Sequence, residues 1–212
     1  MYDDQIRSLE HYRRRARWYD WANRIAALLR GTSGRNDRLK AIARIGFEPH
    51  HRVLEVSSGT GTNLLLMRES LADGLLVGLD LSRPMLIRSR ERLSANAGSV
   101  PLVEGEAGYL PFRDGAFDAV FHHGGFAEFG DRAGALAEMT RVARTGGRIV
   151  ICDVGVPTDR PLPLMSRLLL RAQPEYDKPP PVDLLPTGLR DMRLSWIGGG
   201  SWYLIDFTNV RE

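Results

Sequence analysis

The residues most able to do chemistry lie where apolar runs end. Val53-Leu54-Glu55-Val56 leads into the loop Ser57-Ser58-Gly59-Thr60-Gly61, and Thr62-Asn63-Leu64 opens a helix. Glu55 stands just before the loop. A second acid, Asp80, closes the next run, Leu75-Leu76-Val77-Gly78-Leu79. Small residues let the backbone approach a ligand closely, and acids at the rim accept hydroxyl or amino groups. That is how a parallel sheet builds a nucleoside pocket. A later run ends in His122 and His123, ahead of Gly124-Gly125-Phe126. Adjacent strand residues point to opposite faces, so at most one of these imidazoles faces a substrate.

The loop excludes two common guests. A dinucleotide site wants a third glycine where this chain has Leu64, which spoils close helix–sheet packing. No Gly-Lys-Ser/Thr follows, so there is no P-loop. An acid, a small-residue loop and a helix start suit a ligand with an amino-acid end and a nucleoside end. S-adenosylmethionine fits that description.

Several elements must hold these residues in place. The pattern predicts strands near 52–57, 75–80, 100–104, 117–122 and 147–152, and helices near 62–72, 83–95, 131–143 and 161–172. Strand–helix alternation implies right-handed crossovers and a parallel sheet covered on both faces. Two apolar runs, Met192–Ile197 and Ser201–Thr208, are split by Gly198-Gly199-Gly200, which signals an antiparallel hairpin. The expected fold is α/β: a doubly wound, mostly parallel seven-stranded sheet ending in that hairpin. Helices near 3–30 and 36–46 precede it. The proline-rich stretch 174–186 reads as an extended surface loop. The expected organisation is one domain over 1–212. Residues 1–46 form a helical N-terminal cover and 50–153 a ligand-binding core. Residues 154–212 supply a substrate-side helix, a loop and the hairpin.

Composition narrows the class. With 212 residues, 43% hydrophobic and 26% charged, the chain can bury a real core. No apolar stretch approaches the roughly 18 residues of a membrane span. The start, Met1-Tyr2-Asp3-Asp4-Gln5, lacks a signal pattern, so a cytoplasmic protein is expected. The single cysteine, Cys152, rules out an internal disulfide and a multi-cysteine metal site, and reads as a buried structural thiol. No metal-ligating set is assigned, and His50 and His51 receive no role. Residues 1–52 carry a basic surplus of six while the remainder is slightly acidic. A solvated helical face explains that surplus, and an anionic partner or membrane surface is the alternative. No nucleic-acid module is visible.

The motifs resemble those of class I S-adenosylmethionine-dependent methyltransferases, in particular the ubiquinone/menaquinone-biosynthesis type. The family's acid-x-Gly-x-Gly-x-Gly is matched by Glu55, Ser57, Gly59 and Gly61, with Ser57 where the first glycine is usual. Gly78-Leu79-Asp80-Leu81-Ser82 with Pro84-Met85 resembles the second motif. The third is resembled by Glu104-Gly105-Glu106-Ala107, Leu110-Pro111-Phe112 and Phe117-Asp118-Ala119-Val120. The fourth is resembled by Met139–Arg148, with Thr145 where proline is usual. Together they cover about 50–153. Arg17–Asn23 resembles the family's N-terminal Tyr-Asp segment.

The resemblance implies roles. Backbone at Ser57, Gly59 and Gly61 would approach the methionine part of the cofactor, with Thr60 and Asn63 beside them. Glu55 would accept from its ammonium, directly or through water. Asp80 would take both ribose hydroxyls, Leu81 and Met85 would flank adenine, and Glu106 and Ala107 would meet its amino edge. Tyr19 would close over the cofactor, and His122 would contribute mainly backbone. His123 stands where amino-methylating relatives have the asparagine of Asn-Pro-Pro-Tyr, and is the candidate base or substrate orienter. The implied reaction is methyl transfer to a small apolar or aromatic molecule, releasing S-adenosylhomocysteine. Positioning and a dry pocket supply much of such catalysis, and a base is needed only when the nucleophile must lose a proton. Two alternatives stay open: the same fold catalysing a cyclisation or rearrangement, and a non-catalytic binding partner. Asp153 is a weaker site candidate. His11, Tyr12 and Trp18 are candidates for a lid. The amphipathic stretch after Arg160 reads as core packing, a substrate cap or a lipid contact.

Overall fold

The computed structural model describes residues 34–71, 73–96, 100–162, 164, 167, 178–187 and 189–210. Strands β1 (Arg52–Val56), β2 (Leu75–Asp80), β3 (Leu102–Glu104), β4 (Phe117–His123) and β5 (Ala143–Val154) are followed by β6 (Arg190–Ile197) and β7 (Trp202–Thr208). They form a seven-stranded sheet in the order β3-β2-β1-β4-β5-β7-β6. Every pairing from β3 to β5 is parallel, and β7 lies antiparallel between β5 and β6. This is the expected doubly wound sheet with its terminal hairpin.

Among the described residues, the helices packed on the sheet are α1 (Gly34–Ala43), α2 (Thr62–Arg68), α3 (Arg83–Asn96) and α4 (Arg132–Val142). They divide between the two faces. Ile42 of α1, Leu64 and Met67 of α2 and Leu93 of α3 pack on Val53, Ala119, Phe121 and Val150. Leu136 and Met139 of α4 pack on the opposite face, against Leu54, Val120 and Ile149. Neighbouring strand residues therefore enter different cores, as a two-faced sheet demands. Asp131 caps α4, its carboxylate accepting the Gly134 N–H at 2.8 Å.

Some boundaries differ from those expected. Helix α2 stops at Arg68 instead of 72, because the N–H groups of Ser70 and Leu71 both turn back to the Met67 carbonyl. The cover helix α1 runs from 34 to 43, not 36 to 46. Strand β3 starts at Leu102, two residues late. Strand β5 begins four residues early, at Ala143, because Ala143 already pairs with Phe117. The register then shifts, and Arg148 pairs with Ala119. Asn209 stabilises that irregular joint: its side-chain amide donates to the carbonyls of Ala143 at 2.8 Å and Thr140 at 3.1 Å. Within the proline-rich stretch, Val182–Leu184 forms a 3-10 turn and Pro181 is buried. The expected helix near 3–30 lies outside the described residues, as does most of the one near 161–172. No helix among the described residues is long and apolar enough to cross a membrane. Cys152 is buried and free, its thiol pushed up by burial.

Candidate functional site

The carboxyl ends of β1, β2 and β4 open on a cleft. Its lining includes Ser57, Gly59, Thr60, Asn63, Asp80, Leu81, Met85, Glu106, Ala107 and His123, ten of the residues singled out in the sequence. Arg38, Ser58, Ser82, Glu128, Phe129 and Asp131 also line it. The small-residue loop takes its shape from left-handed backbone at Ser57 (φ 58°), Gly59 (φ 54°) and Gly61 (φ 75°). A β-carbon on Gly61 would lie 2.3 Å from Ser89 Oγ, so this glycine lets the loop lie on α3. Gly61 thus shapes the loop without lining the cleft. Arg92 of α3 fixes the same loop, donating to the Thr60 carbonyl at 2.8 Å and to Thr62 Oγ1 at 2.5 Å.

Asp80 ties the first two loops together. Its Oδ2 accepts the Gly59 N–H at 2.7 Å and its Oδ1 accepts the Ser82 N–H at 2.8 Å. Burial raises its pKa, against the pull of those two bonds. Each carboxylate oxygen still has acceptor capacity on its cleft side.

Glu55 does not line the cleft. It lies on the β1 face covered by α1 and α2, fully buried behind Asn63. Asn63 Nδ2 donates to Glu55 Oε1 at 2.6 Å, and Oε2 has no partner among the described residues. Burial pushes the Glu55 pKa up to about 8, only partly offset by Asn63 and Arg38. The acid is therefore mostly neutral at pH 7, and any influence it has on a ligand passes through Asn63.

The two histidines diverge as strand alternation requires. His123 lines the cleft on the α1 side. Its ring stacks on Trp202 with centroids 4.8 Å apart, and its Nδ1 is 3.4 Å from Arg38 Nη1. Burial first, and then the Arg38 charge, hold its pKa well below the usual imidazole value. His122 is completely buried on the other face. Its Nδ1 pairs with the Val56 carbonyl at 3.0 Å, and its ring packs edge-on to Phe126 and Phe129. The His122 side chain is thus kept from the cleft by Phe129, and burial lowers its pKa to about 4.

Asp153 hangs the next loop from β5. Its carboxylate accepts N–H groups from Val154 at 2.7 Å, Ala127 at 3.0 Å and Gly125 at 3.3 Å. It therefore shapes the cleft wall from behind. Tyr19, His11, Tyr12 and Trp18 lie outside the described residues.

Residues 54–151 match the family described as methyltransferase domain. The chain is 36% identical over 160 residues to the demethylmenaquinone methyltransferase of Mycobacterium sp. strain KMS, covering 75% of this chain and 65% of that protein. It is 34% identical over 174 residues to the protein of the same name from Lactiplantibacillus plantarum, covering 74% of this chain and 72% of that one. The chain belongs to the class I S-adenosylmethionine-dependent methyltransferases, of the quinone-biosynthesis type. It spans a little under two thirds of the length of the Mycobacterium relative. The fold also matches a SAM dependent methyltransferase from Aquifex aeolicus, with a TM-score of 0.62 and 20% identity, covering 82% of this chain and 90% of that one.

The residues of this methyltransferase fit its family's cofactor. The buried hydroxyls of Ser58 and Ser82 have no partner among the described residues and flank Asp80 at the cleft. A β-carbon on Gly59 would meet nothing within 4 Å, so the loop leaves room for a ligand. Leu79, Leu81 and Met85 give an apolar wall for a purine. Among the described lining side chains, four carboxylates (Asp80, Glu106, Glu128 and Asp131) face one arginine, Arg38. An acidic surplus suits a sulfonium with a net positive charge, and holds its neutral thioether product less well.

Sequence reading missed Arg38, Glu128, Phe129 and Asp131. The last three follow the fourth strand, where a loop at a sheet's carboxyl edge is a general place to look. Arg38 carries no local signal, being one of two arginines in a basic helix.

Proposed function

We propose that this methyltransferase moves the methyl group of S-adenosylmethionine to a reduced quinone ring or a similar small aromatic molecule. One observation carries the reading. A single cleft joins the Asp80–Gly59 rim at one end to the His123 imidazole and the Phe129 ring at the other. The curated relatives, named demethylmenaquinone methyltransferases, supply the ring class. The cofactor, when bound, supplies an electrophilic methyl on a sulfonium sulfur.

The chain's own residues hold and exclude. Asp80 takes the ribose hydroxyls with its remaining acceptor capacity. Backbone at Ser57 and Gly59 lies against the amino-acid end, near Asn63 and Arg38. Leu81 and Met85 grip the adenine, with Glu106 and Ala107 at its amino edge. Phe129 and the Gly124-Gly125 turn give the acceptor ring a dry wall, and His123 stands beside its oxygens. Methyl transfer from a cation to an electron-rich ring disperses charge, so a desolvated, oriented pair reacts faster than one in water. The reduced ring is the competent nucleophile, because the oxidised quinone is electron-poor; the ring carbon gains the methyl and gives up its proton to solvent as aromaticity returns.

The test is product analysis. The full chain, S-adenosylmethionine and a demethylnaphthoquinol should give a product one methyl heavier, with one S-adenosylhomocysteine released per turnover. Turnover of the ring without mass gain would favour a rearrangement. Failure to bind S-adenosylmethionine in calorimetry would overturn the reading.

A further inference from the structure

The structure assigns Arg38 a task at the reaction centre: it fixes the tautomer of His123, so that this imidazole donates a hydrogen bond to a substrate oxygen instead of acting as a base. The inference rests on the proposed reaction and settles which of the two roles open to His123 it performs.

The geometry begins in α1. Arg38 reaches over the carboxyl edge of the sheet, and its Nη1 donates to Asn63 Oδ1 at 2.7 Å. Asn63 in turn donates to the buried Glu55. The amide is thereby oriented: its oxygen must face Arg38 because its nitrogen faces the carboxyl group. That orientation holds the guanidinium against His123, with Nη1 at 3.4 Å from Nδ1. Nη1 carries two hydrogens, one for each neighbour. A guanidinium is a donor only and stays protonated at any working pH. The facing Nδ1 must therefore accept, and a neutral imidazole that accepts at Nδ1 carries its proton on Nε2.

The ring cannot turn away easily. It lies tilted against Trp202, 4.8 Å away at 31°, with Phe121 nearby at 6.3 Å and 35°. Among the described residues, the titratable or charged groups about it are Arg38 from α1 and its register partner Cys152 on β5, with Glu55 one step away beyond Asn63, while His122 points to the opposite face. The competing acceptor for a ring N–H is the backbone carbonyl of His123 itself, and the Arg38 donor at Nδ1 is what opposes it. An Nε2–H facing the cleft suits a quinol or phenolate oxygen, and selects acceptors with an oxygen beside the methylated position over hydrocarbons or amines. Arg38 is a positioning residue that acts through His123.

The experiment uses the full chain labelled with 15N-histidine, and a long-range proton–nitrogen spectrum that distinguishes the tautomers. His123→Gln assigns the signal. The wild type should show His123 as the Nε2–H form alone. Arg38→Met should turn this into comparable populations of both tautomers, and Arg38→Lys, which keeps a cationic donor, should restore the single form. In turnover, His123→Gln retains a donor and should stay within about tenfold of wild type, while His123→Phe should lose about a further ten- to hundredfold. A proton on Nδ1 in the wild type overturns the assignment even if Arg38→Met fails to fold. An unchanged tautomer in a folded Arg38→Met overturns it too, as does complete loss of turnover in His123→Gln with cofactor affinity intact. Absence of any methylated ring with the Nε2–H form present counts against the proposed reaction, not against the role of Arg38.

Discussion

The Asp80 carboxylate accepts the backbone N–H of Gly59 at 2.7 Å, joining the loop after β1 to the end of β2. One side chain thus shapes the glycine loop and presents acceptors to the cleft. Asp80→Ala removes both functions and leaves the Gly59 N–H unpaired. A charge-assisted bond contributes about 1.5–3 kcal/mol, so S-adenosylhomocysteine affinity should fall roughly ten- to hundredfold by calorimetry. Because burial raises the Asp80 pKa, wild-type affinity should decline on acidification sooner than an ordinary aspartate would allow. An unchanged affinity in Asp80→Ala would remove Asp80 from the cofactor's partners.

Ser57 occupies left-handed backbone at φ 58°, where the family usually has glycine. A β-carbon there costs about 1 kcal/mol, since only glycine enters this region freely. Ser57→Gly should therefore raise the melting temperature by about 2–4 °C in a chain of this size. The fold bears the strain at a turn it needs, so Ser57 is no sign of a decayed site. A lower melting temperature would show that the serine hydroxyl contributes more than its backbone costs.

Glu55 links stability and binding to pH. Its pKa rises from 4.5 to about 8 on folding, so the folded chain keeps a proton that the unfolded chain releases. The contribution to stability is whole below pH 4.5 and is lost as pH rises from there to about 8. Glu55→Gln removes the dependence. Its unfolding free energy should gain on the wild type between pH 5 and 8, by an amount on the order of 4 kcal/mol at the upper end, and its melting temperature should rise accordingly. A cation arriving in the cleft favours ionised Glu55, so S-adenosylmethionine binding at pH 7 should release protons. Calorimetry in two buffers of different ionisation enthalpy measures that release, which should vanish in Glu55→Gln.

Asp153 supports the wall of the cleft that carries Gly125 and Phe129. Asp153→Ala leaves up to three N–H groups without their acceptor, those of Gly125, Ala127 and Val154. A cost of about 1–3 kcal/mol per buried unpaired group predicts a melting temperature lower by several degrees. Turnover should fall more than cofactor affinity, because in the proposed arrangement the loop faces the acceptor ring more than the nucleoside. Equal loss of both would place Asp153 in cofactor binding.

The sheet was legible because each core strand is an apolar run bounded by glycine or an acid, and because the helices between strands dictate parallel pairing. The early start of β5 was not. Residues 143–147 fall between the expected helix near 131–143 and the expected strand near 147–152, and become strand through Phe117 and the amide of Asn209, 62 residues beyond Gly147. In the site, loop and rim residues were legible because a glycine loop and a strand-end acid have few other uses. The opposed facing of His122 and His123 followed from the pleat. The retreat of Glu55 behind Asn63 and the reach of Arg38 into the cleft were hidden, since both depend on how α1 and α2 lie on the sheet. Spacing along the chain carries no record of that packing.

The hairpin also sets an order of assembly. β6 comes before β7 in the chain, yet its sheet neighbour is β7, which lies between it and β5. During synthesis β6 emerges as a strand with nowhere to dock, carrying its exposed Met192 and Leu194. The last strand is the wedge that seats it, and a nascent chain arrested before Trp202 would trail a sticky, unpaired ribbon for chaperones to shield.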